Sequence, residues 1–156
     1  MGIEHCAEFA TILDPNSIKL CVEAAYSRYL SRMDKPPGPM LQDYSEVIAR
    51  HQVWILRGDH DAVDGVLVLI PRDDHMLLDN IAVHPDRQGA GLGGTLLRLA
   101  DAEARRQGYD ELRLYTHVTM TENIALYQAL GWQIIGQGTE DGYERVFMRK
   151  PLGPGG

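Results

Sequence analysis

Asp79-Asn80-Ile81-Ala82-Val83-His84-Pro85-Asp86-Arg87-Gln88-Gly89-Ala90-Gly91-Leu92-Gly93-Gly94 is the stretch from which the rest of the chain can be read. A short apolar run ends in His84-Pro85, a glycine-dense loop follows, and a helical pattern opens at Leu92 to Leu96. Strand, glycine loop and helix N-terminus together make an anion site. The first helical N–H groups have no partner inside the helix, and the dipole places roughly half a positive charge there. Glycines lack Cβ atoms, so their amides can close on a phosphate and adopt positive φ where a nest of donors needs it. The stretch therefore points to a phosphorylated small molecule.

Several readings compete for this loop. Gly89 to Gly94 has the glycine spacing of a P-loop, with Thr95 at the magnesium-binding position, but no Lys stands between Gly94 and Thr95. The charge that should reach the β- and γ-phosphates is missing. Gly89, Gly91 and Gly94 also match the dinucleotide fingerprint G-x-G-x-x-G. That turn should follow its strand directly, yet His84 to Gln88 intervene, and the next strand ends in Thr116-His117 rather than in an acid for the ribose. A loop with no ligand is the plain alternative. Glycine in a helix costs up to about 1 kcal/mol per residue relative to alanine, which disfavours a purely structural origin.

Gln88-Gly89-Ala90-Gly91-Leu92-Gly93 fits Q/R-x-x-G-x-G/A without repair, after a strand ending in V-x-P. It resembles the pyrophosphate loop of the GNAT superfamily of acyl-CoA-dependent N-acyltransferases. Asn123-Ile124-Ala125-Leu126-Tyr127-Gln128-Ala129-Leu130-Gly131-Trp132 resembles the family's I-A-L-Y-x-x-L-G-F signature, about 35 residues further on. Residues 50–150 carry the resemblance firmly and the N-terminal helices only loosely. It implies an α/β GNAT-like fold, a central mixed twisted sheet of six or seven strands flanked by helices. It implies an N-acetyltransferase with acetyl-CoA as co-substrate. Gln88, Gly89, Ala90, Gly91, Leu92, Gly93 and Gly94 would wrap the pyrophosphate. Backbone groups of Ile81, Ala82 and Val83 would pair with the pantetheine arm and the acetyl carbonyl, where two parallel strands splay apart in the family.

Acetyl transfer to an amine needs a neutral nucleophile, donors for the oxygen of the tetrahedral species, and a proton for the departing thiolate. Helix geometry puts Asn123 and Tyr127 on one face, with Met120 a turn further back. The resemblance assigns Tyr127 as the general acid for the CoA thiolate. The bottom-up alternative is a core or capping tyrosine.

Three departures from the family stand out. Many relatives have Asn at the position of Met120, so Asn123 either substitutes for it toward the pantetheine or serves in helix capping. Many have Ser, Thr or Arg at the position of Gly94. Ribosomal-protein N-terminal acetyltransferases use a Glu base on the strand after the central helix, and the corresponding residue here is Tyr115. Asp79, Glu122 and His117 are the remaining candidate bases, or a water chain serves.

Composition agrees. The 156 residues suit one domain, 1–150, with 151–156 as a flexible tail. A formal charge of −7 and no basic run longer than Arg105-Arg106 argue against nucleic acid. An acidic surface instead favours cationic acceptors by modest steering. No apolar run is long enough to span a membrane. Cys6 and Cys21, with no signal peptide ahead of them, suggest buried thiols in a reducing cytoplasm. The six histidines show no ligand spacing, so no metal site is expected.

Local signals lay out the elements. Ile3 to Phe9 suggests a first strand. Asp14-Pro15 reads as N-cap and N1 of a helix reaching about Met33, stopped by the stiff Lys35-Pro36-Pro37-Gly38-Pro39. Asp43 to Arg50 is a second helix. Val53 to Arg57 and Gly65 to Ile70 are strands around a polar turn, Gly58 to Asp64, and His75 to Val83 is the strand before the loop. The central helix, Leu92 to Gly108, presents Leu92, Leu96, Leu99, Ala100 and Ala104 on one face, with Arg98, Asp101 and Arg105 facing away. Glu111 to Thr116 is the next strand. Thr119-Met120-Thr121-Glu122 has the form of a capping box opening a helix. Gln133 to Gly136 and Glu144 to Met148 form a hairpin around Thr139 to Gly142.

Acceptor choice is expected to lie with Tyr26, Tyr29, Met40, Tyr44 and Trp54, whose aromatic faces suit a cation. A small-molecule amine ranks first and a protein N-terminus or Lys second. Assembly as a homodimer is left open. The alternative to an enzyme is a non-catalytic acyl-CoA-binding sensor or interaction module that kept the loop and lost turnover.

Overall fold

Over residues 7–153, the part of the chain that this computed structural model describes, strands and helices alternate as the sequence pattern predicts. They are β1 (Ala7–Phe9), α1 (Pro15–Tyr26), α2 (Tyr44–Arg50), β2 (Gln52–Arg57), β3 (Val63–Pro71), β4 (Met76–Val83), α3 (Leu92–Arg106), β5 (Glu111–His117), α4 (Thr121–Ala129), β6 (Gln133–Glu140) and β7 (Tyr143–Pro151). The strands form one seven-stranded sheet in the order β1-β2-β3-β4-β5-β7-β6. β4 and β5 pair in parallel, whereas β1/β2, β2/β3, β5/β7 and β6/β7 are antiparallel. The sheet is thus mixed and flanked by helices, as expected. The chain divides into two compact units, one of residues up to Leu69 with Asn80–Ala100, the other of Ile70–Asp79 with residues from Asp101 on.

The first unit is built on β3, whose residues from Val63 to Ile70 are all buried. Gly65 sets how closely α3 packs on it. A Cβ there would press on Leu56 Cδ1 and Leu96 Cδ1 at 3.1 Å. On α3, Leu92, Leu96, Ala100 and Ala104 are buried as the helical period predicts, and Leu97 is buried where Leu99 was expected. The polar turn ends earlier than the sequence suggests. Asp64 belongs to β3 and is buried, and Arg87 Nε approaches its carboxylate at 3.4 Å.

Asn80 on β4 is only 4% exposed and bonds on both sides. Tyr26 Oη donates to its Oδ1 at 2.9 Å, and its Nδ2 donates to Tyr44 Oη at 3.2 Å. Tyr44 Oη in turn donates to the Pro39 carbonyl at 2.6 Å. This chain fastens α1, α2 and the proline loop to β4. The hydroxyls of Tyr26 and Tyr44 are thus engaged in holding the fold.

Asp14 stands at the N-cap of α1 with Pro15 at N1, but its side chain does not cap the helix. It accepts instead from the Thr11 amide at 2.7 Å and from Arg57 Nη2 at 3.1 Å. The helical run continues past α1 as a 3₁₀ turn, Ser27–Arg32, and a second 3₁₀ turn, Gly38–Leu41, follows the prolines. Asp43 caps α2 by accepting from the Ser45 amide at 3.0 Å.

In the second unit the apolar residues of β4 and β5 meet in register. The recorded pairs run Met76↔Leu112, Leu77↔Arg113 and Leu78↔Leu114, and both strands continue beyond the last pair. β6 is longer than the sequence suggests. It reaches Glu140 because an irregularity between Ile134 and Gly136 resets the register before the two-residue turn at Asp141-Gly142. At the other end, Pro151 pairs with Glu111, and Leu152 is buried with its amide on the Asp110 carbonyl. The segment expected to be tail therefore contributes two residues to the fold. Ile3 to Cys6, with Cys6 itself, and Pro154 to Gly156 lie outside the described residues. Cys21 is a free buried thiol, pushed up to about 12 by burial and by the nearby Asp64 carboxylate.

Asn80→Ala is expected to cost about 1–3 kcal/mol, because Tyr26 loses its shorter acceptor and Tyr44 loses the amide that donates to it. The urea midpoint at fixed m-value measures it, and a loss below about 0.5 kcal/mol would contradict the fastening role.

Asp14 has a second consequence. Burial pushes its carboxyl up, but the Thr11 amide and Arg57 outweigh this and hold it below the usual range. A depressed carboxylate stabilises above its unfolded pKa, about 3.9, and that contribution is lost as pH falls through the folded value. Wild type should therefore lose more stability than Asp14→Asn between pH 5 and pH 2, to be read from urea midpoints across that window. Parallel curves would count against it.

Candidate active site

The loop predicted to hold an anion leaves β4 through a turn that its own residues close. His84 Nδ1 accepts from the Asp86 amide at 3.2 Å, capping the 3₁₀ turn Pro85–Arg87, and the His84 amide donates to the Asp64 carbonyl at 2.8 Å. Arg87 reaches back to Asp64, and Gln88 to Gly91 are exposed. Gly91 has φ +79°, with nothing within 4 Å of the position a Cβ would take. Only glycine holds that conformation without strain, so the sharp entry into α3 depends on it. The first intrahelical bond runs from the Thr95 amide to the Gly91 carbonyl at 3.0 Å. The amides of Leu92, Gly93 and Gly94 precede it and belong to the first turn, which has no intrahelical acceptors.

A residue that the pattern placed on the far face of α3 returns to this end. Arg98 donates from Nη2 to Thr95 Oγ1 at 3.3 Å, and its Nη1 lies 3.2 Å from where a Gly94 Cβ would sit. The absence of a side chain at Gly94 leaves room for a guanidinium beside the helix N-terminus. Helix dipole, orphan amides and Arg98 therefore supply positive potential on one side of the loop. Backbone clearance and charge both fit a pyrophosphate.

On β4, exposure alternates: Asn80 and Ala82 are buried, whereas Ile81 and Val83 are half-buried. The Ile81 carbonyl accepts from Tyr26 Oη at 3.3 Å. Tyr29 is buried and flanked by the guanidinium groups of Arg28 and Arg32, 4.8 and 5.2 Å from its ring centroid. Its faces serve the protein's own cations. Met40 lies in the Gly38–Leu41 turn, and Trp54 is stacked on Phe9 at 3.9 Å.

In the second unit, Tyr127 is 7% exposed on α4, its ring tilted against Trp132 at 5.9 Å. The Leu130-Gly131-Trp132 ending produces this contact. Gly131, at φ +98°, reverses the chain so that the Trp132 amide donates to the Tyr127 carbonyl at 3.0 Å. α4 begins at Thr121 with Met120 at its N-cap, and the Thr119 amide donates to His117 Nδ1 at 3.2 Å just ahead of it. Asn123 sits half-buried one turn before Tyr127 and makes no side-chain hydrogen bond among the described residues, so the capping alternative for it falls away.

The candidate bases separate clearly. His117 Nδ1 accepts from the Thr119 amide at 3.2 Å and lies 2.8 Å from Thr119 Oγ1, so that nitrogen is engaged by its own loop. Glu122 is exposed and accepts from Thr121 Oγ1 at 2.9 Å. Tyr115 donates from Oη to Asp79 Oδ1 at 2.9 Å. Burial and the adjacent Asp79 carboxylate push its phenol well above the ordinary tyrosine range, so it stays a donor. Among the described residues no three His, Cys, Asp or Glu gather as a metal ion would require, and no helix is long and apolar enough to cross a membrane.

Comparison with known proteins follows the same lines. Residues 49–134 match the family model described as an acetyltransferase (GNAT) domain. A probable N-acetyltransferase 14 of Xenopus tropicalis is 27% identical over 101 residues, 64% of this chain and 49% of that protein. Human N-acetyltransferase 8B is 31% identical over 90 residues, 54% of this chain and 39% of that protein. The chain spans about half the length, or less, of these curated relatives. Among solved structures, the ribosomal-protein-S18-alanine N-acetyltransferase of Escherichia coli superposes with a TM-score of 0.75 at 23% identity, covering 98% of this chain and 97% of that one. The PaiA N-acetyltransferase of Thermoplasma acidophilum, in complex with coenzyme A, gives 0.79 at 16% identity, covering 96% and 99%. With a family model matched over more than half of its length, the chain belongs to the GNAT acetyltransferase family.

Proposed function

We propose that the protein transfers an acetyl group from acetyl-CoA directly to a primary amine. The observation that carries this reading is the loop into α3: a positive-φ glycine, a first turn of orphan amides and Arg98 folded beside them. That set suits the pyrophosphate of a CoA thioester. Gln88 to Gly94 would hold it, with Ile81, Ala82 and Val83 offering backbone groups to the pantetheine arm and Asn123 a side-chain amide. The thioester supplies an activated acetyl group and a leaving thiolate. Tyr127 is the proton donor for that thiolate, a role supported by its place in the family signature and by the Trp132 contact that orients its ring.

Acceptors rank as before, small-molecule amines ahead of a protein N-terminus or Lys. One observation favours a second reading. The position at which ribosomal-protein N-terminal acetyltransferases carry a glutamate base holds a phenol here that donates to Asp79, which a non-catalytic acyl-CoA sensor would tolerate.

Acetyl-CoA-dependent thiol release across polyamines, amino acids, aminoglycosides and short peptides separates the two readings. Turnover on any amine supports transfer, and silence across the panel with acetyl-CoA still binding supports the sensor. Tyr127→Phe should lower turnover about 10²-fold while acetyl-CoA affinity stays within about twofold. Unchanged turnover would remove Tyr127 from the mechanism.

Gly93 offers a sharper test of the loop. A Cβ there would meet only Val83 Cγ2, at 4.0 Å, an ordinary contact. Gly93→Ala should therefore keep or raise the thermal midpoint through better helix propensity. It should weaken acetyl-CoA binding by about tenfold or more, measured by calorimetry, if phosphate oxygens lie against the bare backbone. Unaltered affinity would place the cofactor elsewhere.

A further inference from the structure

Cations on β5 and β7 are mostly spent on carboxylates at hydrogen-bond range. Arg149 reaches Glu111 at 2.9 Å, Arg113 holds the other oxygen of the same carboxylate, and Lys150 reaches Asp101 at 2.7 Å. Arg145 on β7 differs. Its side chain is only 15% exposed, and its one carboxylate neighbour among the described residues, the half-exposed Glu140, lies 3.5 Å away, beyond the usual hydrogen-bond range. The guanidinium lies instead over two rings, 4.3 Å from the centroid of Tyr115 and 5.5 Å from that of Tyr143. Stacking uses the flat face of the group and leaves the N–H donors along its edge unspent. Arg145 stands across from His117, and Tyr115 precedes His117 by one pleat, so their side chains share one face of the β5/β7 pair. The opposite face carries Leu112, Leu114, Val146 and Met148, all buried. The recorded β4/β5 pairs end at Leu78↔Leu114, so the cluster begins where β5 runs past them. Tyr115 does not neutralise the guanidinium. Its hydroxyl donates to Asp79 Oδ1, and burial beside that carboxylate keeps the phenol protonated.

We propose that Arg145 binds a carboxylate of the acceptor, so that the acceptor is a small amine that also carries a carboxylate, an amino acid in the simplest case. The inference rests on the acetyl-transfer reading and names the class of its acceptor. A largely buried guanidinium with unspent donors is incompletely compensated, and a carboxylate offers two acceptors at the spacing of its fork. Tyr115 and Tyr143 hold the fork from its face, which fixes the direction of its edge before a ligand arrives. The bond is made to the end of the acceptor that does not react, so the amine stays free to shed its proton and attack the thioester. The formal charge of −7 opposes an anion only weakly, because exposed charges beyond about 8–10 Å are screened and the guanidinium at contact decides. Amines of similar size without a carboxylate should be poor acceptors.

The test compares glycine, L-alanine and L-phenylalanine with their amides and with 1,4-diaminobutane, using acetyl-CoA-dependent thiol release. Wild type should favour its best amino acid over the matching amide by about tenfold or more in kcat/KM. Arg145→Gln should raise KM for that amino acid by about tenfold to a hundredfold and leave KM for the amide and for acetyl-CoA within about twofold. Arg145→Lys keeps a charge over the rings and should recover part of the loss. Glu140→Gln removes the neighbouring carboxylate and should lower KM for the amino acid, and an increase would count against the anchor. Arg106→Gln removes an equal charge from the exposed end of α3 and should change none of these constants. If Arg145→Gln weakens amino acid and amide alike, its role is structural. If the amides or 1,4-diaminobutane turn over as well as the amino acids, no carboxylate is read. Either result overturns the anchor while acetyl transfer stands. If wild type turns over none of the probes, transfer to such amines is overturned, and calorimetric binding of N-acetylglycine and N-acetyl-L-alanine decides the anchor. Binding that is lost in Arg145→Gln upholds it. Binding retained in the variant, or missing in wild type, overturns it.

Discussion

The site depends on the pleat of β4. A strand turns successive side chains to opposite faces, and here Met76, Leu78, Asn80 and Ala82 are buried while Leu77, Asp79, Ile81 and Val83 stay partly open. The parallel register with β5, from Met76↔Leu112 to Leu78↔Leu114, holds that phase, because slipping by one residue would exchange every member of the two sets. Asn80 then points to its tyrosines and Asp79 to Tyr115.

A polar residue in the buried set would be costly if it were unpaired. Asn80 satisfies both ends of its amide with phenol groups from α1 and α2, and one of these phenols bonds onward to the Pro39 carbonyl. The arrangement explains why this region holds tyrosines rather than phenylalanines. It also spends the hydroxyls of Tyr26 and Tyr44 on the fold.

The loop is held by a parallel device. Arg87 stands immediately before Gln88, and it turns inward to the buried Asp64 rather than outward to a ligand. Positive potential at the helix N-terminus comes instead from orphan amides and from Arg98, which the bare Gly94 lets approach. The departure from the family at Gly94 thereby finds a physical counterpart a turn along the helix.

Features governed by neighbours in the chain were legible in the residues alone. Alternation set β4, the 3.6-residue period set most of the buried face of α3, and glycines marked the entry to α3 and the reversal after α4. These depend on backbone dihedrals and short-range bonds, which a few adjacent residues decide. What the residues could not disclose were the pairings of distant groups: Tyr26 with Asn80, Asn80 with Tyr44, Arg87 with Asp64 and Tyr115 with Asp79. Each joins side chains more than twenty positions apart, and its geometry exists only once the strands are in register. The sequence thus determined the family, the elements and the loop. Tertiary structure alone decided which polar groups are spent on the fold and which remain for chemistry.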